Sequence, residues 1–418
     1  MKNAFIATVG IGTGPESDIT KPLIESIREA NPDFLLLFAT EESFKNAQII
    51  KDSLCRNDDN TEICKLEYKE DVEKIFKKIS DKIVELISKG YKAENIIADF
   101  TTGTKPMAAG LVLAAIKFNI KRLKYIMVER DTNRKICEGT ERTLTFEPKG
   151  IYASYTIDIA INFIQKFRFE SAKEILGQIN RFLLSELEKK FINDLETIAS
   201  AYDFWDKFEH IKFRDTYNKI EFSNPLLDKF KVGPEVLEVV HQLGKDSHKN
   251  VISDNHIVDL INNATRRVIE GKYDDAVARL YRAMEMLAQW RLENKYKIRA
   301  NDIDLNNVPK SSVDWLNKYR DKSDNKIKIS LHRCFQLLSE FDDELGKKFE
   351  GDKKLHALLN KRNNSILAHG TVSISKDECK SLMELVIQYS RAFIENFDEK
   401  SKILQFPWVT SIEDNIRI

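Results

Sequence analysis

The feature that most constrains this fold is an alternation of short apolar segments with amphipathic ones, which runs through the first 150 residues. Segments 33–40 (DFLLLFAT) and 95–100 (NIIADF) have the apolar and aromatic composition of strands that are buried on both faces. The segments between them carry apolar residues at helical spacing. We therefore predict a Rossmann-like α/β domain with a parallel sheet over residues 1–149, which ends in a hairpin over residues 131–146.

The rest of the chain is predicted to be helical. After residues 148–150 (PKG) the strand pattern stops, and apolar residues are spaced three and four apart with few Gly or Pro. A new long helix is expected to begin at Asp254 or Asn255, where a capping side chain precedes an amphipathic run. We therefore divide this part into an all-α connector over residues 150–250 and a second all-α domain over residues 251–418.

Two loops follow strands at the edge of the sheet where parallel α/β folds bind ligands. One is a glycine-rich turn after the first strand, and the other follows segment 95–100 and leads into a helix with Pro106 in its first turn. Backbone amides, hydroxyl groups and a lysine at such an edge suit a phosphate. The candidate anion-binding residues are Gly12, Thr13, Ser17, Thr101, Thr102, Gly103, Thr104 and Lys105.

The first loop does not match the two best-known phosphate motifs. Its glycine spacing departs from the dinucleotide-binding fingerprint, because Pro15 and Ser17 stand where the last glycine is needed. No Gly-x-x-x-x-Gly-Lys-Ser/Thr phosphate loop occurs in the sequence either. Nicotinamide and nucleoside-triphosphate chemistry therefore lose most of their support. The alternative, that both loops are only tight turns with capping hydroxyl groups, stays open.

A second candidate site lies in segment 361–370 (KRNNSILAHG), near the end of the helical half. If this segment is helical, Arg362 and His369 project from one face, about 10 Å apart along the axis. Gly370 is expected to end the helix, which leaves His369 in its last turn, where the dipole favours a protonated imidazole. A titrating imidazole and a guanidinium suit chemistry at a phosphodiester. A chance pairing at helical spacing is the alternative.

Charge and cysteine content narrow the function classes. The 66 basic residues balance the 66 acidic ones, so no overall field attracts the chain to nucleic acid, DNA included, or to a membrane, and any anionic ligand must be held by a local site. The five cysteines lack Cys-x-x-Cys spacing, which argues against zinc and disulfides and favours a reducing cytoplasm. No apolar run reaches bilayer length, and the N-terminal run is interrupted by glycines, so we expect a first strand there and no signal peptide. No cluster of Asp, Glu and His has metal-ligand spacing, so no metal is expected.

Two motifs in their respective places resemble one family. They are segment 101–107 (TTGTKPM) after a buried strand, and Arg362 separated by six residues from His369 in a C-terminal helical domain. On these motifs the chain resembles the CRISPR-associated CARF-HEPN ribonucleases of type III systems, over its whole length. Segment 273–292 (YDDAVARLYRAMEMLAQWRL) is also similar to the first helix pair of one HEPN branch. The six-residue gap lies at the long end of the family's range.

The resemblance implies that residues 1–149 form a CARF sensor, residues 150–250 a connector and residues 251–418 a HEPN ribonuclease. It implies that a cyclic oligoadenylate binds the candidate loops of a CARF dimer and activates cleavage of single-stranded RNA. Cyclic tetra- and hexa-adenylate both stay open as the activator. Arg362 and His369 would form the catalytic pair, with Asn363 beside Arg362.

The chemistry of RNA cleavage agrees with these residues. RNA carries its own nucleophile, the 2′-hydroxyl, so cleavage needs a proton acceptor, a proton donor and a counter-charge but no metal. One His per chain cannot serve as both base and acid unless it alternates or two chains combine, so a symmetric homodimer is expected. Two alternatives stay open. Thr13 and Thr102 would orient the ligand's own 2′-hydroxyls in a ring nuclease, or the HEPN domain would only bind RNA or a partner.

Overall fold

The computed structural model describes residues 2–12, 20–68, 70–127, 140, 142–367 and 370–409. The chain divides into two compact units. The first unit comprises Met1–Thr156 with Asn180–Leu184, and the second comprises Ile157–Ile179 with Ser185–Ile418. The division into three domains is finer than these two units, and its boundaries stay predictions.

The first unit contains a six-stranded sheet with the order β3-β2-β1-β4-β5-β6. Strands β1 to β5 are parallel, and β6 is antiparallel to β5. The predicted Rossmann-like fold with an antiparallel edge is therefore confirmed, although residues 131–139 and 141 of the expected hairpin lie outside the described residues. The strands are β1 (Ala4–Val9), β2 (Phe34–Ala39), β3 (Thr61–Lys65), β4 (Ile96–Asp99), β5 (Arg122–Met127) and β6 (Arg142–Phe146). The helices are α1 (Thr20–Ala30), α2 (Phe44–Ser53), α3 (Val72–Ser88) and α4 (Lys105–Lys117).

Both faces of this sheet are covered, which explains why β1, β2 and β4 are buried along their whole length. Alternate side chains of a strand point to opposite faces. Phe5 and Leu35 therefore pack into one core together with residues of α1 and α2. Ile6 and Leu36 pack into the other core, with residues of α3 and α4. Because the helices occupy both faces, the loops at the carboxyl ends of the strands are the part of the sheet available to a ligand.

The second unit is helical in its described part, as predicted, apart from short 3-10 turns and isolated bridges. Helix α5 (Lys149–Gln165) contains the division between the two units. The helices that follow are α6 (Phe169–Gly177), α7 (Glu186–Asp206), α8 (His210–Tyr217), α9 (Pro234–His248), α10 (Asp254–Ile269), α11 (Tyr273–Tyr296), α12 (Lys310–Asn317), α13 (Leu331–Glu340), α14 (Glu344–Gly351), α15 (Lys353–Asn363), α16 (Lys376–Phe393) and α17 (Phe397–Ile403). Within the described ranges, none of the helices is both long and apolar enough to cross a bilayer.

Helix α10 lies at the centre of the second unit, because residues 257–267 are all buried. A helix buried on every side needs partners for its polar side chains. Asp259 accepts a hydrogen bond from Trp205 Nε1 at 3.1 Å and lies 2.8 Å from His210 Nε2. Trp205 belongs to a large aromatic cluster that also contains Tyr202 and Phe406. Helix α11 packs against this buried helix.

Candidate functional site

The candidate loops of the first unit lie where the chain order of the strands reverses. Strand β1 is hydrogen-bonded to both β2 and β4, so the loops after β1 and β4 leave neighbouring strands at their carboxyl ends. The two loops touch: a Cβ atom added to Gly10 would lie 2.7 Å from the backbone nitrogen of Gly103. Of the predicted residues in the first loop, Gly12 is described, whereas Thr13 and Ser17 lie outside the described residues.

Two threonines of the second loop brace it against the sheet. The Thr8 hydroxyl donates to the carbonyl of Thr102, and the Thr102 hydroxyl donates to the carbonyl of Thr8. The Thr101 hydroxyl accepts a hydrogen bond from the backbone amide of Ile126 at 2.8 Å. These hydrogen bonds attach the loop to β1 and to β5. Thr101 and Thr102 therefore hold the shape of the loop.

The loop presents a different set of groups to the exterior. Gly103 adopts a φ of +99°, in the region that favours glycine. Thr104 is the N-cap of α4 and accepts a hydrogen bond from the Met107 amide at 3.4 Å. The side chains of Thr104 and Lys105 are exposed. An anion at this point meets the positive end of α4 and the Lys105 ammonium together.

Sequence reasoning missed three residues that shape this edge. Asp99 is fully buried and accepts hydrogen bonds from the Thr101 amide at 2.9 Å and from the Ser26 hydroxyl at 3.2 Å. Burial raises the pKa of the Asp99 carboxyl, although these hydrogen bonds oppose the shift. Asn46 donates to the carbonyl of Gly10 at 2.8 Å. Thr8, described above, is the third of these residues. An acidic residue within an apolar strand was the only available sequence signal, and it pointed to Asp99 alone.

The structure corrects the prediction that one helix carries both Arg362 and His369. Helix α15 ends at Asn363, and Asn364 is its C-cap. Ser365 then forms an isolated bridge with Val372 in place of continuing the helix. The physical reason is the sequence Asn363-Asn364-Ser365, since these side chains compete with helical hydrogen bonds and favour helix ends. Arg362 is therefore in the last turn of α15, and the helix ends before it reaches the position of His369.

Gly370 also has a role different from the predicted helix end. Its amide donates to the carbonyl of Ser365 at 3.1 Å, and the Ile366 amide donates to the carbonyl of Val372 at 3.0 Å. A Cβ atom added to Gly370 would overlap the backbone of Asn364. Glycine is required here because the loop returns against the end of α15. Ala368 and His369 lie outside the described residues, so the predicted spacing of about 10 Å between Arg362 and His369 stays untested.

Arg362 is half-buried and has two neighbours that define its orientation. Its guanidinium carbon lies 4.3 Å from the ring centroid of Tyr281 on α11. Its Nη1 donates to Asn363 Oδ1 at 3.2 Å, so the structure brings Asn363 and Arg362 together as the motif predicts. Burial, with the negative charge of Glu285, raises the pKa of the Tyr281 hydroxyl, and the ring beneath the cation is a neutral phenol. Sequence reasoning missed Tyr281.

The far end of the motif loop is also attached to α11. The Ile374 amide donates to Asp274 Oδ1 at 3.1 Å and to Oδ2 at 3.3 Å. Asp274 and Tyr281 are about two turns apart and share one face of α11. Segment 362–374, which we call the motif loop, is therefore held at both ends by the same helix.

The start of α16 adds a further contact. Ser375 and Glu378 form a capping box, and Lys361 is ion-paired with Glu378. Hydrogen bonds from Lys361 and Ser375 lower the pKa of Glu378 to about 2. The carboxylate is thus ionised at neutral pH and connects the ends of α15 and α16.

A separate cavity of about 780 Å³ lies in the second unit, where the turns after α5, α7 and α10 meet. Several of the charged side chains in and beside it are ion-paired. Asp206 accepts from Arg266 Nε at 2.8 Å and from Arg267 Nη2 at 2.6 Å, and Lys272 donates to Glu270 at 2.9 Å. Cations are expected at helix C-termini because the helix dipole favours them there. None of the predicted site residues lines this cavity. We therefore interpret the cavity as part of a structural ion-pair network.

No group of three or more His, Cys, Asp and Glu side chains is placed to hold a metal ion in the part of the chain that the structure describes.

Comparisons with known proteins give a family match and several matches to solved structures. Residues 248–392 match the family model described as the Csm6 HEPN domain. The chain is similar in fold to Enterococcus italicus Csm6 bound to cyclic hexa-2′-fluoro-hexa-dAMP, with 14% identity, 98% of this chain and 99% of that chain covered, and a TM-score of 0.50. A match to Can2 from Sulfobacillus thermosulfidooxidans in complex with cyclic tetra-adenylate has 14% identity, 50% and 67% coverage and a TM-score of 0.23. No curated protein sequence matches the chain.

The family match covers part of the helical region, whereas the fold likeness covers nearly the whole chain. The matched residues include α11, α15 and α16, and hence both Arg362 and the contacts that orient it. The fold likeness extends over the α/β unit as well. Residues 248–392 therefore match a Csm6-type HEPN domain, and the chain as a whole is similar in fold to Enterococcus italicus Csm6.

Proposed function

We propose that this protein is a single-stranded RNA endoribonuclease that a cyclic oligoadenylate activates in type III CRISPR defence. The observation that carries the proposal is the environment of Arg362, within the matched HEPN domain. A half-buried guanidinium stacked on Tyr281 and bonded to Asn363 is a preorganised cation beside an open loop. Such a cation stabilises the negative charge that develops on a phosphate during cleavage.

The proposed mechanism uses the 2′-hydroxyl of RNA as the nucleophile. Arg362 binds the scissile phosphate, Asn363 keeps the guanidinium in place, and His369 transfers a proton at the 2′-oxygen or the leaving 5′-oxygen. The phosphorus forms a bond to the 2′-oxygen as its bond to the 5′-oxygen breaks. The products carry 2′,3′-cyclic phosphate and 5′-hydroxyl ends, and no metal takes part.

A homodimer completes this chemistry, because each chain supplies one motif histidine. The surface beside Arg362 supports such an arrangement. Ile366, Leu367 and Val372 of the motif loop are 54%, 53% and 68% exposed, an unusual clustering of large apolar side chains next to a charged site. Two copies of this face in contact would bury these side chains and bring two histidines to one cleft.

The proposed activator site is the edge of the sheet formed by the loops after β1 and β4. Exposed Thr104 and Lys105 lie at the N-terminus of α4, where a phosphate is favoured by the helix dipole. The cyclic hexa-adenylate analogue named for the Enterococcus italicus protein supports the ligand class. Gly12, Thr13, Ser17, Thr101, Thr102 and Gly103 complete the proposed site.

A ring-cleaving activity in this site has less support than ligand binding. Thr102 is one of the two hydroxyls on which that alternative depends, and its proton is donated to the carbonyl of Thr8. That hydroxyl is therefore occupied with holding the loop. Thr13 is the other residue of the alternative, and it lies outside the described residues.

The experiment that tests the proposal is cleavage of a fluorescent single-stranded RNA in EDTA, with and without cyclic tetra- and hexa-adenylate. The expected result is cleavage with one ring size, reduced roughly 10²- to 10⁴-fold in His369→Ala. Arg362→Ala should show a comparable loss, whereas Lys354→Ala should not, since Lys354 is an exposed cation on the same helix. Both motif variants should still bind the ring.

Two outcomes would contradict the proposal. Absence of cleavage with either ring would leave a sensor whose HEPN domain only binds RNA or a partner. Cleavage that requires an added metal would refute the metal-independent mechanism. Ring opening by the Arg362→Ala variant would show a separate ring nuclease activity.

A further inference from the structure

The contact between Arg362 and Tyr281 joins two helices that are distant in sequence. Arg362 is in the last turn of α15, and Tyr281 is in the middle of α11. The guanidinium carbon lies 4.3 Å from the ring centroid, which is well within the range of a cation–π interaction. Both side chains are half-buried, so water screens this contact less than it screens one on an open surface.

Stacking on a ring restricts a guanidinium in a way that an ion pair does not. A guanidinium whose carbon lies over a ring face still has N–H groups along its edges that can bond other partners. One of those edges is used by Asn363 Oδ1, at 3.2 Å from Nη1. In the described part of the chain the other N–H groups of Arg362 have no hydrogen-bond partner, so they are available for a bidentate contact with a phosphate. A long, flexible arginine at a helix end thereby acquires a single orientation.

We propose that Tyr281 is the positioning residue for Arg362 in RNA cleavage, and that it acts through the face of its ring. This inference rests on the proposed function. Because the ring face makes the contact, a phenylalanine at this position should preserve the function of the tyrosine. A leucine keeps an apolar side chain at this position but is smaller and has no π face, and so it leaves the guanidinium free to rotate. The loss should therefore appear in kcat more than in KM, because the cost falls on the geometry of the transition state.

The experiment compares Tyr281→Phe and Tyr281→Leu in the full-length protein with the activating ring and the RNA substrate. Tyr281→Phe should keep cleavage within about twofold of wild type, and Tyr281→Leu should lower kcat roughly tenfold with a smaller change in KM. Tyr319→Leu is the matched control. The Arg333 guanidinium carbon lies 5.4 Å from the ring centroid of Tyr319, and its Nε donates to the Tyr319 hydroxyl at 2.7 Å, but neither residue belongs to the motif. This control should cleave RNA like wild type.

Thermal unfolding and ring binding of each variant separate positioning from folding. Tyr281→Leu is expected to bind the ring as wild type does. An equal loss in Tyr281→Phe and Tyr281→Leu would overturn the inference, since it would assign the effect to the hydroxyl. Unchanged kcat in Tyr281→Leu would overturn it as well. If wild type itself fails to cleave RNA, the proposed function fails first, and that result is distinct from either of these.

Discussion

Replacement of Gly103 by alanine tests the packing of the candidate ligand loop. Alanine at a φ of +99° costs about 1–2 kcal/mol from backbone strain alone. The new methyl group would also lie 3.0 Å from Thr8 Cβ and 3.3 Å from Met107 Cβ. Thr8 cannot rotate away, because its hydroxyl is bonded to Thr102 and its β-branched side chain is buried. Overpacking of this kind costs about 1–3 kcal/mol. We therefore expect Gly103→Ala to lower the unfolding free energy of this unit by about 2–5 kcal/mol in total.

Gly90 provides a matched control for the strain. It has a similar φ of +92°, but an added Cβ atom would meet nothing within 4 Å. Gly90→Ala should therefore cost only about 1–2 kcal/mol, and the difference between the two variants isolates the contact with Thr8 and Met107. The same displacement of the loop should weaken binding of the cyclic ligand in Gly103→Ala and leave it unchanged in Gly90→Ala.

Hydrogen exchange of peptides that cover β1 and β4 is the suitable measurement, because it reports the opening free energy of this unit. Tryptophan fluorescence would miss it, since Trp205, Trp290, Trp315 and Trp408 all belong to the second unit. If the two variants lower the opening free energy equally and bind the ligand equally, the close packing of Gly103 against Thr8 has no energetic importance and the reasoning is wrong.

Two further predictions concern the helical unit. The pKa of Glu378 is lowered to about 2, so its stabilising contribution is complete above its unfolded pKa of about 4.3 and is lost as the pH falls toward 2. Glu378→Gln should therefore show a smaller fall in Tm than wild type between about pH 5 and pH 2.5, and parallel curves would contradict this. Asp343 is buried and accepts from Lys295 at 2.8 Å, Tyr296 at 2.9 Å and Arg291 at 3.1 Å, so Asp343→Asn should cost about 2–4 kcal/mol of unfolding free energy. Asp342→Asn changes an exposed neighbour and should cost under about 0.5 kcal/mol in the same urea titration; equal costs would refute the role assigned to Asp343.

The α/β fold and the position of its ligand edge could be predicted because they depend on local composition. Apolar runs such as 95–100 identify buried strands, and parallel strands bring their carboxyl ends to one edge. The end of α15 could not be predicted in the same way. Leu355, Leu359 and Ile366 keep a roughly helical spacing past Asn363, and this spacing outweighed the signal of the Asn363-Asn364-Ser365 sequence, which favours a helix end.

The residues that contact the candidate residues could not be predicted from local sequence patterns either. Tyr281 is close to Arg362 only because α11 and α15 pack together, and no spacing within either helix indicates the contact. The same holds for Asn46 and Gly10, which are joined by a hydrogen bond between α2 and the loop after β1. Contacts of this kind follow from tertiary packing, in which residues far apart in sequence become neighbours.

The attachment of the motif loop to α11 at both ends has a mechanical consequence. Arg362 rests on Tyr281 and Ile374 is tied to Asp274, so any rotation of α11 about its axis carries both ends of the loop in the same direction. Side chains at the helix surface are about 6 Å from the axis, and a rotation of about 10° moves them by about 1 Å. A displacement of about 1 Å is the scale on which catalytic geometry is lost or gained. Small rotations of α11 would thus move both attachment points of the motif loop together.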